Sequence, residues 1–460
     1  MLKRSPDDPA TLTLAGNVFA ASKNHGEARK YYSRALAENS VFPSALMSLA
    51  LIEELDGNIG QAAELYRKLV DSDFKSVLPM LGLARIADQQ GAKQEMLTWL
   101  KRAHESDQGN LKTVTLLAGY YLDQNDIVKA AVLVRDALEA SPDAAVLLAL
   151  QGRILMKENK YKQALNPLTK LVAARPESVE ARVLIGECFL QLGQLSDARR
   201  ELAYAQEKAP GNVQVLALMS KLAIKEGDFE SALQYSREIE NNFPEQYFGY
   251  ALSGDVLMAS RDHAAADRAY NKALERAQIS VVAIRRAENA AQSGDPDKAI
   301  AYLREWLEEY PEDSKAMLSL GIGLQTMGNN SGAISAYEKT LESDPENPVA
   351  LNNLALLYSL AGRPDALGFA ERAWIAAPDS AGILDTYGWL LVENGQISKG
   401  LQLLEKAIKS LPGNPDVRYH HAVAVYRAGN KKDARQRLQA LLNEGVSFEG
   451  REDAERLLME

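Results

Sequence analysis

A period of 34 residues runs through the chain and constrains its fold more than any other feature. Thirteen consecutive units cover residues 9–448, and they begin at residues 9, 43, 77, 111, 145, 179, 213, 247, 281, 314, 348, 381 and 415. Eleven units have 34 residues, while the units that begin at residues 281 and 348 have 33. Two amphipathic helices per unit cannot bury their apolar faces alone. The period therefore predicts helix pairs that stack on their neighbours in one array.

At three positions of the unit the same type of residue recurs from repeat to repeat, and each has a physical role in a helix pair. Position 8 is Gly, Ala or Ser in twelve of thirteen units, with Glu288 as the exception, and a small residue there lets two antiparallel helices approach closely. Position 20 is Ala in eleven units. Position 32 is Pro in eight units, where it ends the second helix because proline cannot continue a helix interior. We place the residue that the two shorter units lack in the turn between their helices, at residues 294–296 and 362–364.

The combination of small residues at position 8, Ala at position 20 and Pro at position 32 resembles the tetratricopeptide repeat (TPR) family. The resemblance covers residues 9–448. It implies an all-α fold, a right-handed superhelical solenoid of about 13 helix-turn-helix repeats in which the first helices line a concave groove. We expect one continuous array without a linker.

Both ends of the sequence fit such an array. Residues 449–460 form an amphipathic pattern, and we expect them to be the C-terminal capping helix that a solenoid needs. Residues 1–8 match the tail of a preceding second helix. Our hypothesis is that the chain is the C-terminal part of a longer TPR protein.

Composition and motifs exclude several functions. The 460 residues carry a formal net charge of −10, which argues against a nucleic-acid partner. No apolar run approaches the roughly 18 residues of a membrane span. The single cysteine, Cys188, cannot form an intramolecular disulfide or a two-cysteine metal site. No catalytic, cofactor-binding or metal-binding motif is present. We therefore predict no enzyme activity, no cofactor and no metal.

The function must then belong to the surface of the array. In the TPR family, positions 2, 5, 9, 12 and 13 of each first helix line the groove. In the middle units many of these residues are apolar, such as Leu122 and Met156, and charges such as Arg153 and Glu187 lie between them. For the apolar members we favour packing against the neighbouring repeat. Towards the C-terminus polar and aromatic residues are more prominent. Our candidates for ligand contact there are Arg285, Asn289, Lys315, Asn352, Asp385, Trp389, Tyr419 and Tyr426, with solvated surface as the alternative.

The last two units carry a second, narrower resemblance. Residues 384–391 (LDTYGWLL) and 418–422 (RYHHA) are similar to the last repeats of bacterial envelope TPR lipoproteins that are encoded with exopolysaccharide and PEP-CTERM systems. That resemblance implies a periplasmic, membrane-tethered scaffold in an exopolysaccharide assembly system, with the signal and the lipid-anchoring cysteine upstream of this chain.

The favoured function is thus a non-catalytic scaffold that binds a protein or peptide segment in the groove. One alternative is a module that binds carbohydrate or guides polysaccharide export, for which Trp389, Tyr419 and Tyr426 supply flat aromatic faces. Another alternative is a cytoplasmic TPR adaptor. If the C-terminal candidates bind the ligand, replacing Asn352 and Trp389 by Ala should reduce ligand capture and leave the melting temperature almost unchanged.

Overall fold

The computed structural model describes residues 7–72 and 74–459, and within them it contains 27 α-helices and no strand. Contacts divide the chain into two compact units, residues 1–226 and 227–460. The helices of the first unit are α1 (Pro9–Ala21), α2 (His25–Glu38), α3 (Pro43–Leu55), α4 (Ile59–Val70), α5 (Leu78–Gln89), α6 (Lys93–Ser106), α7 (Leu111–Asp123), α8 (Ile127–Ala140), α9 (Ala145–Lys157), α10 (Tyr161–Ala174), α11 (Val179–Gln191), α12 (Leu195–Lys208) and α13 (Val213–Glu226).

The second unit begins with the second helix of a repeat and ends with a short additional helix. Its helices are α14 (Phe229–Asn242), α15 (Tyr247–Ala259), α16 (His263–Arg276), α17 (Ser280–Gln292), α18 (Pro296–Glu309), α19 (Ser314–Thr326), α20 (Asn330–Ser343), α21 (Pro348–Leu360), α22 (Ala366–Ala376), α23 (Ala381–Glu393), α24 (Ile397–Ser410), α25 (Pro415–Arg427), α26 (Lys431–Asn443) and α27 (Arg451–Met459). Odd-numbered helices up to α25 are the first helices of repeats. The all-α helix-pair prediction and the predicted C-terminal helix are confirmed.

Local sequence sets the ends of these helices. Second helices commonly start after an Asp or Asn whose side chain accepts a hydrogen bond from a backbone N–H of the first turn; at α16, Asp262 accepts from the N–H of Ala265 at 3.1 Å. The turn before each second helix contains a residue with positive φ. Gly193 has a φ of 72°, and Asn159 takes the same place with a φ of 58°. Glycine adopts this conformation without steric cost, and asparagine tolerates it better than most residues.

The small residue at position 8 faces a large residue of the second helix. A Cβ placed on Gly254 would lie 2.5 Å from the ring of Tyr270, and one on Gly321 would lie 2.6 Å from the ring of Tyr337. Both tyrosine rings are almost completely buried, at 1% and 0% exposure. The glycines thus let the second helix insert a full aromatic ring against the first helix, which explains why position 8 is restricted to small residues.

The structure corrects the predicted register of the unit that we began at residue 281. Helix α17 starts at Ser280, and the connection from α16 has three residues where others, such as residues 209–212, have four. The turn at residues 293–295 has the usual length, so the predicted deletion at residues 294–296 is wrong. With the observed register Ala287 stands at position 8, and Glu288 is no longer an exception. In the unit that begins at residue 348, the connection at residues 361–365 is longer than the usual three residues and α22 is shorter than other second helices, so the missing residue shortens the helix and not the turn.

The helices of each compact unit pack on their neighbours within that unit. The organisation of all repeats into one continuous array stays a prediction. The predicted N-terminal tail at residues 1–8 lies mostly outside the described residues, which begin at residue 7. Across residues 7–72 and 74–459, no helix combines the length and the apolar character that crossing a membrane requires.

Candidate functional site

An opening in the first unit follows its first helices. Two adjoining cavities of about 490 and 550 Å³ share Gly119 and Asp123 as lining residues. One lies between α5, α6 and α7, and the other runs across α7, α9, α11 and α13. We call the combined surface the trough. It is lined largely at positions 2, 5, 9, 12 and 13, the positions that the resemblance assigns to a groove.

We call the part between α5, α6 and α7 the cleft. Its walls are largely apolar, formed by Leu81, Ala84, Met96, Leu100, Leu116 and Tyr120. Leu116 is 44% exposed, whereas the residues at the same position of the next two repeats, Leu150 and Leu184, are only 6% and 5% exposed. The side chain at this position is thus exposed at the cleft and buried in the next two repeats.

Gly119 lies at position 9 of α7, where the cleft joins the rest of the trough. A Cβ at this residue would meet no atom within 4 Å. This glycine therefore differs from those at position 8, such as Gly152, where a Cβ would lie 2.5 Å from Leu168. Packing inside the protein gives no reason for a glycine at residue 119.

The remainder of the trough combines apolar and charged side chains. Leu122, Leu150, Met156 and Leu184 contribute apolar surface, and Arg153, Lys157 and Glu187 contribute charges. Arg153 donates a hydrogen bond to Glu180 at 2.7 Å. The packing predicted for Leu122 and Met156 is confirmed, since each lies against a buried cluster of its own region. Both are half-buried, and their remaining surface lines the trough.

Most cations around the cleft already have a partner. Arg85 donates to both carboxylate oxygens of Glu54, at 2.6 Å for one of the two contacts. Burial alone would raise the pKa of Glu54, but hydrogen bonds from Arg85 and Tyr66 outweigh it and hold that pKa below its ordinary value. Lys93 pairs with Asp88, which raises the pKa of the lysine. Lys112 has no ion pair with any described residue.

Three of the eight predicted contact residues come together at the C-terminal end of the second unit. Trp389 stacks on the His420 ring with centroids 4.4 Å apart, and its ring centroid lies 5.8 Å from that of Tyr419. Both carboxylate oxygens of Asp385 accept from His420 Nδ1 at 3.0 Å. The side chains bind one another, so only part of their polar and aromatic surface faces solvent.

Helix α27 covers part of this cluster. The Tyr419 hydroxyl donates to Asp453 at 2.9 Å, and the ring contacts Phe448 with centroids 5.5 Å apart. Burial, together with the nearby Asp453 carboxylate, raises the pKa of Tyr419. Tyr426 is only 9% exposed, with Lys431 Nζ 4.8 Å from its ring centroid. The two tyrosines thus offer less open aromatic surface than the sequence suggested.

The other four candidates lie apart from that cluster. Asn289 is 2% exposed, and its amide binds both the backbone oxygen and Nδ1 of His263 at 2.9 Å. The corrected register explains this burial, since Asn289 stands at position 10 and faces the interior. Arg285 is exposed, 3.6 Å from Asp255, and Lys315 is exposed at the start of α19. Asn352 is half-buried and donates to Asn353 at 3.3 Å.

Sequence reasoning missed Leu116, Gly119 and Tyr120. The signal available was a glycine inside a first helix at position 9, away from the small-residue position. Groups of metal-ligating side chains are absent from residues 7–72 and 74–459. Cys188 is buried, which raises the pKa of its thiol to about 12 and disfavours a reactive thiolate.

Comparison with known proteins decides the family. Family models of the tetratricopeptide repeat match more than half of the chain, at residues 3–75, 155–222, 251–314, 284–322, 336–366 and 391–447. The chain belongs to the tetratricopeptide repeat family. TPR proteins bind protein partners as interaction scaffolds and are generally non-catalytic.

Individual relatives are distant. This TPR protein is 22% identical over 386 residues to the BBSome complex member BBS4 of Bos taurus, a match that covers 80% of this chain and 72% of the relative. It is 22% identical over 396 residues to the cellulose synthase operon protein C of Pseudomonas fluorescens, covering 79% of this chain but only 31% of that protein. The crystal structure of yeast Tom70 has a TM-score of 0.50 at 15% identity, covering 92% of this chain and 96% of that one, and shows the shared fold.

Proposed function

We propose that this TPR protein is a scaffold that holds a segment of a protein partner in the trough of its first unit. The observation that carries the proposal is the continuity of the trough, since its two cavities share Gly119 and Asp123 and together reach from α5 to α13. Five first helices spaced at roughly 8–10 Å would span about 40 Å. An extended segment of about 12 residues would cover that length.

The chemistry of the trough favours a protein segment as the occupant. Apolar side chains such as Leu122 and Met156 can pack against apolar side chains of a partner, while Lys157 and Glu187 can bind polar groups beside them. This combination of an apolar floor with a few polar groups is typical of sites that bind by shape and orient their ligand by hydrogen bonds.

Random peptides of about 12 residues, displayed on phage, test the proposal. We expect selection on the whole chain to yield peptides that bind at least about tenfold more weakly when Leu122 and Met156 are both replaced by Asp, because charge on the floor opposes apolar contact. The matched control is Val128→Asp on α8, where an apolar residue is 74% exposed outside the trough. Melting temperatures of both variants would establish that they fold.

Two results would contradict the proposal. One is a selection in which no peptide is enriched. The other is a set of peptides whose affinity is the same for the wild type, the trough variant and the Val128→Asp control.

The place of the scaffold in the cell is a separate proposal. We infer that the protein acts in the envelope of a bacterium, on the periplasmic side, as part of an exopolysaccharide assembly system. The resemblance of residues 384–391 and 418–422 to envelope TPR lipoproteins and the similarity to cellulose synthase operon protein C support it. Fractionation of source cells should place the native protein in the envelope fraction. Recovery in the cytoplasmic fraction would instead favour a cytoplasmic adaptor.

A further inference from the structure

The walls of the cleft are more apolar than those of the rest of the trough. Its volume is about 490 Å³, and that of the adjoining cavity is about 550 Å³; both fall within the roughly 300–1,000 Å³ of ligand pockets. The apolar side chains of Leu116, Tyr120, Met96 and Leu100 line it, and they come from two consecutive repeats. A partner segment that only crossed the surface of the trough would leave this space unfilled.

Gly119 keeps the entrance of the cleft open. Glycine is less favourable than almost any other residue inside a helix, and here no internal contact requires it. Any larger side chain would project into the empty space beside residue 119, at the junction of the two cavities. Glycine at this position therefore leaves the junction of the two cavities free of any side chain.

The charges at the mouth of the cleft point to the chemistry of that occupant. Glu54 compensates Arg85, and Asp88 and the more distant Asp123 compensate Lys93. Lys112, also at the mouth, is exposed and has no ion pair with any residue in the described ranges. A carboxylate is the complementary group for it.

We propose that the cleft is an anchor pocket for one bulky apolar side chain of the bound segment, and that Lys112 pairs with a carboxylate beside that side chain. The partner is thus a protein segment in which a residue such as Leu or Phe neighbours Asp or Glu. This inference rests on the proposed function of the trough. It adds which part of the segment binds most strongly, since buried apolar anchors commonly dominate the affinity of an interface.

The same peptides of about 12 residues provide the test, used with the whole chain. We expect the peptides to share a bulky apolar residue next to an acidic one. Gly119→Leu should weaken their binding at least about tenfold because the new side chain occupies the cleft. Gly368→Leu is the matched control, since Gly368 lies inside α22 and a Cβ there also meets no atom within 4 Å.

The ion pair has its own measurement. Replacing the acidic residue of a selected peptide by its amide should weaken binding to the wild type, and the same change should have little effect on Lys112→Gln. Equal losses with both proteins would overturn the assignment of Lys112.

The outcomes separate this inference from the proposed function. One outcome is that the peptides bind the variant with Asp at Leu122 and Met156 more weakly but bind Gly119→Leu as tightly as the wild type. That result would overturn the anchor pocket and leave the trough as the binding site. No trough-dependent peptide at all would overturn both. N-acetylphenylalanine binding as tightly as the peptides would show a small-molecule pocket, which also overturns the inference.

Discussion

At the scale of single residues, the fold depends on the match between position 8 of the first helix and the residue that faces it from the second helix. Gly254 with Tyr270 and Ala84 with Leu100 are two versions of this contact, and all but the glycine are at most 2% exposed. The Tyr270 hydroxyl also reaches across to donate to Asp255 at 2.8 Å. The small residue at position 8 therefore leaves the space that a side chain of the second helix fills.

Gly254→Ala should destabilise the second unit by about 1–3 kcal/mol, because its Cβ would lie 2.5 Å from the Tyr270 ring and force the ring or the helix to move. Adding Tyr270→Leu should recover part of that loss, since Ala with Leu is a pair the chain already uses at Ala84 and Leu100. Urea unfolding followed by circular dichroism measures both effects. Strictly additive destabilisation in the double variant would show that the two residues do not compete for space.

At the scale of helices, register and coverage decide which side chains are accessible. The three-residue connection before α17 moves Asn289 from the expected groove position to a buried one. Helix α27 places Asp453 against Tyr419, and Phe448, in the segment before that helix, contacts the same ring. Trp389 is neither fully buried nor fully open: it is half-buried, and its ring stacks on His420.

The structure changes the outcome we expect from Trp389→Ala. The sequence alone suggested little change in melting temperature, but the stacked ring and its contacts with the cluster around Tyr419 predict a loss of about 2 kcal/mol. Lys315→Ala, at an exposed side chain of the same unit, is the control and should change stability by less than about 0.5 kcal/mol. Thermal unfolding of the two variants gives the comparison. An unchanged melting temperature for Trp389→Ala would restore the ligand-binding interpretation of that residue.

At the scale of the whole molecule, stability is distributed over contacts between neighbouring helices. Each of the two compact units has its own buried clusters, such as the one around Tyr66 in the first unit and the one around Tyr337 in the second. In repeat proteins the free energy of folding is approximately a sum of such local terms. The trough lies entirely within the first unit.

A chain of residues 7–226 should therefore fold and bind the trough-dependent peptides with an affinity within about threefold of the whole protein. The reason is that all residues lining the trough are retained, up to Gln214 in α13. A chain of residues 227–459 should bind none of them. Peptide titration of both chains, after circular dichroism has shown that each is helical, measures this. Binding by residues 227–459 alone would move the site to the second unit.

The sequence by itself determined the helix pair, its period and the ends of its helices, because these depend on residues close together in the chain. Capping side chains such as Asp262, turn residues such as Gly193 and the apolar spacing act within a few positions of one another. The family followed from the same pattern, and so did the absence of recognisable catalytic motifs. The predicted groove positions also describe most of the trough.

Tertiary structure alone decided which of those positions are open. Leu116 is exposed at a position that is buried in the next repeats, and Tyr419 is covered by a helix whose Asp453 lies 34 residues away. Exposure depends on how closely neighbouring helices approach, and that distance is set by many side chains at once. The cleft beside Gly119 is therefore a property of packing between repeats, which the repeat pattern does not encode.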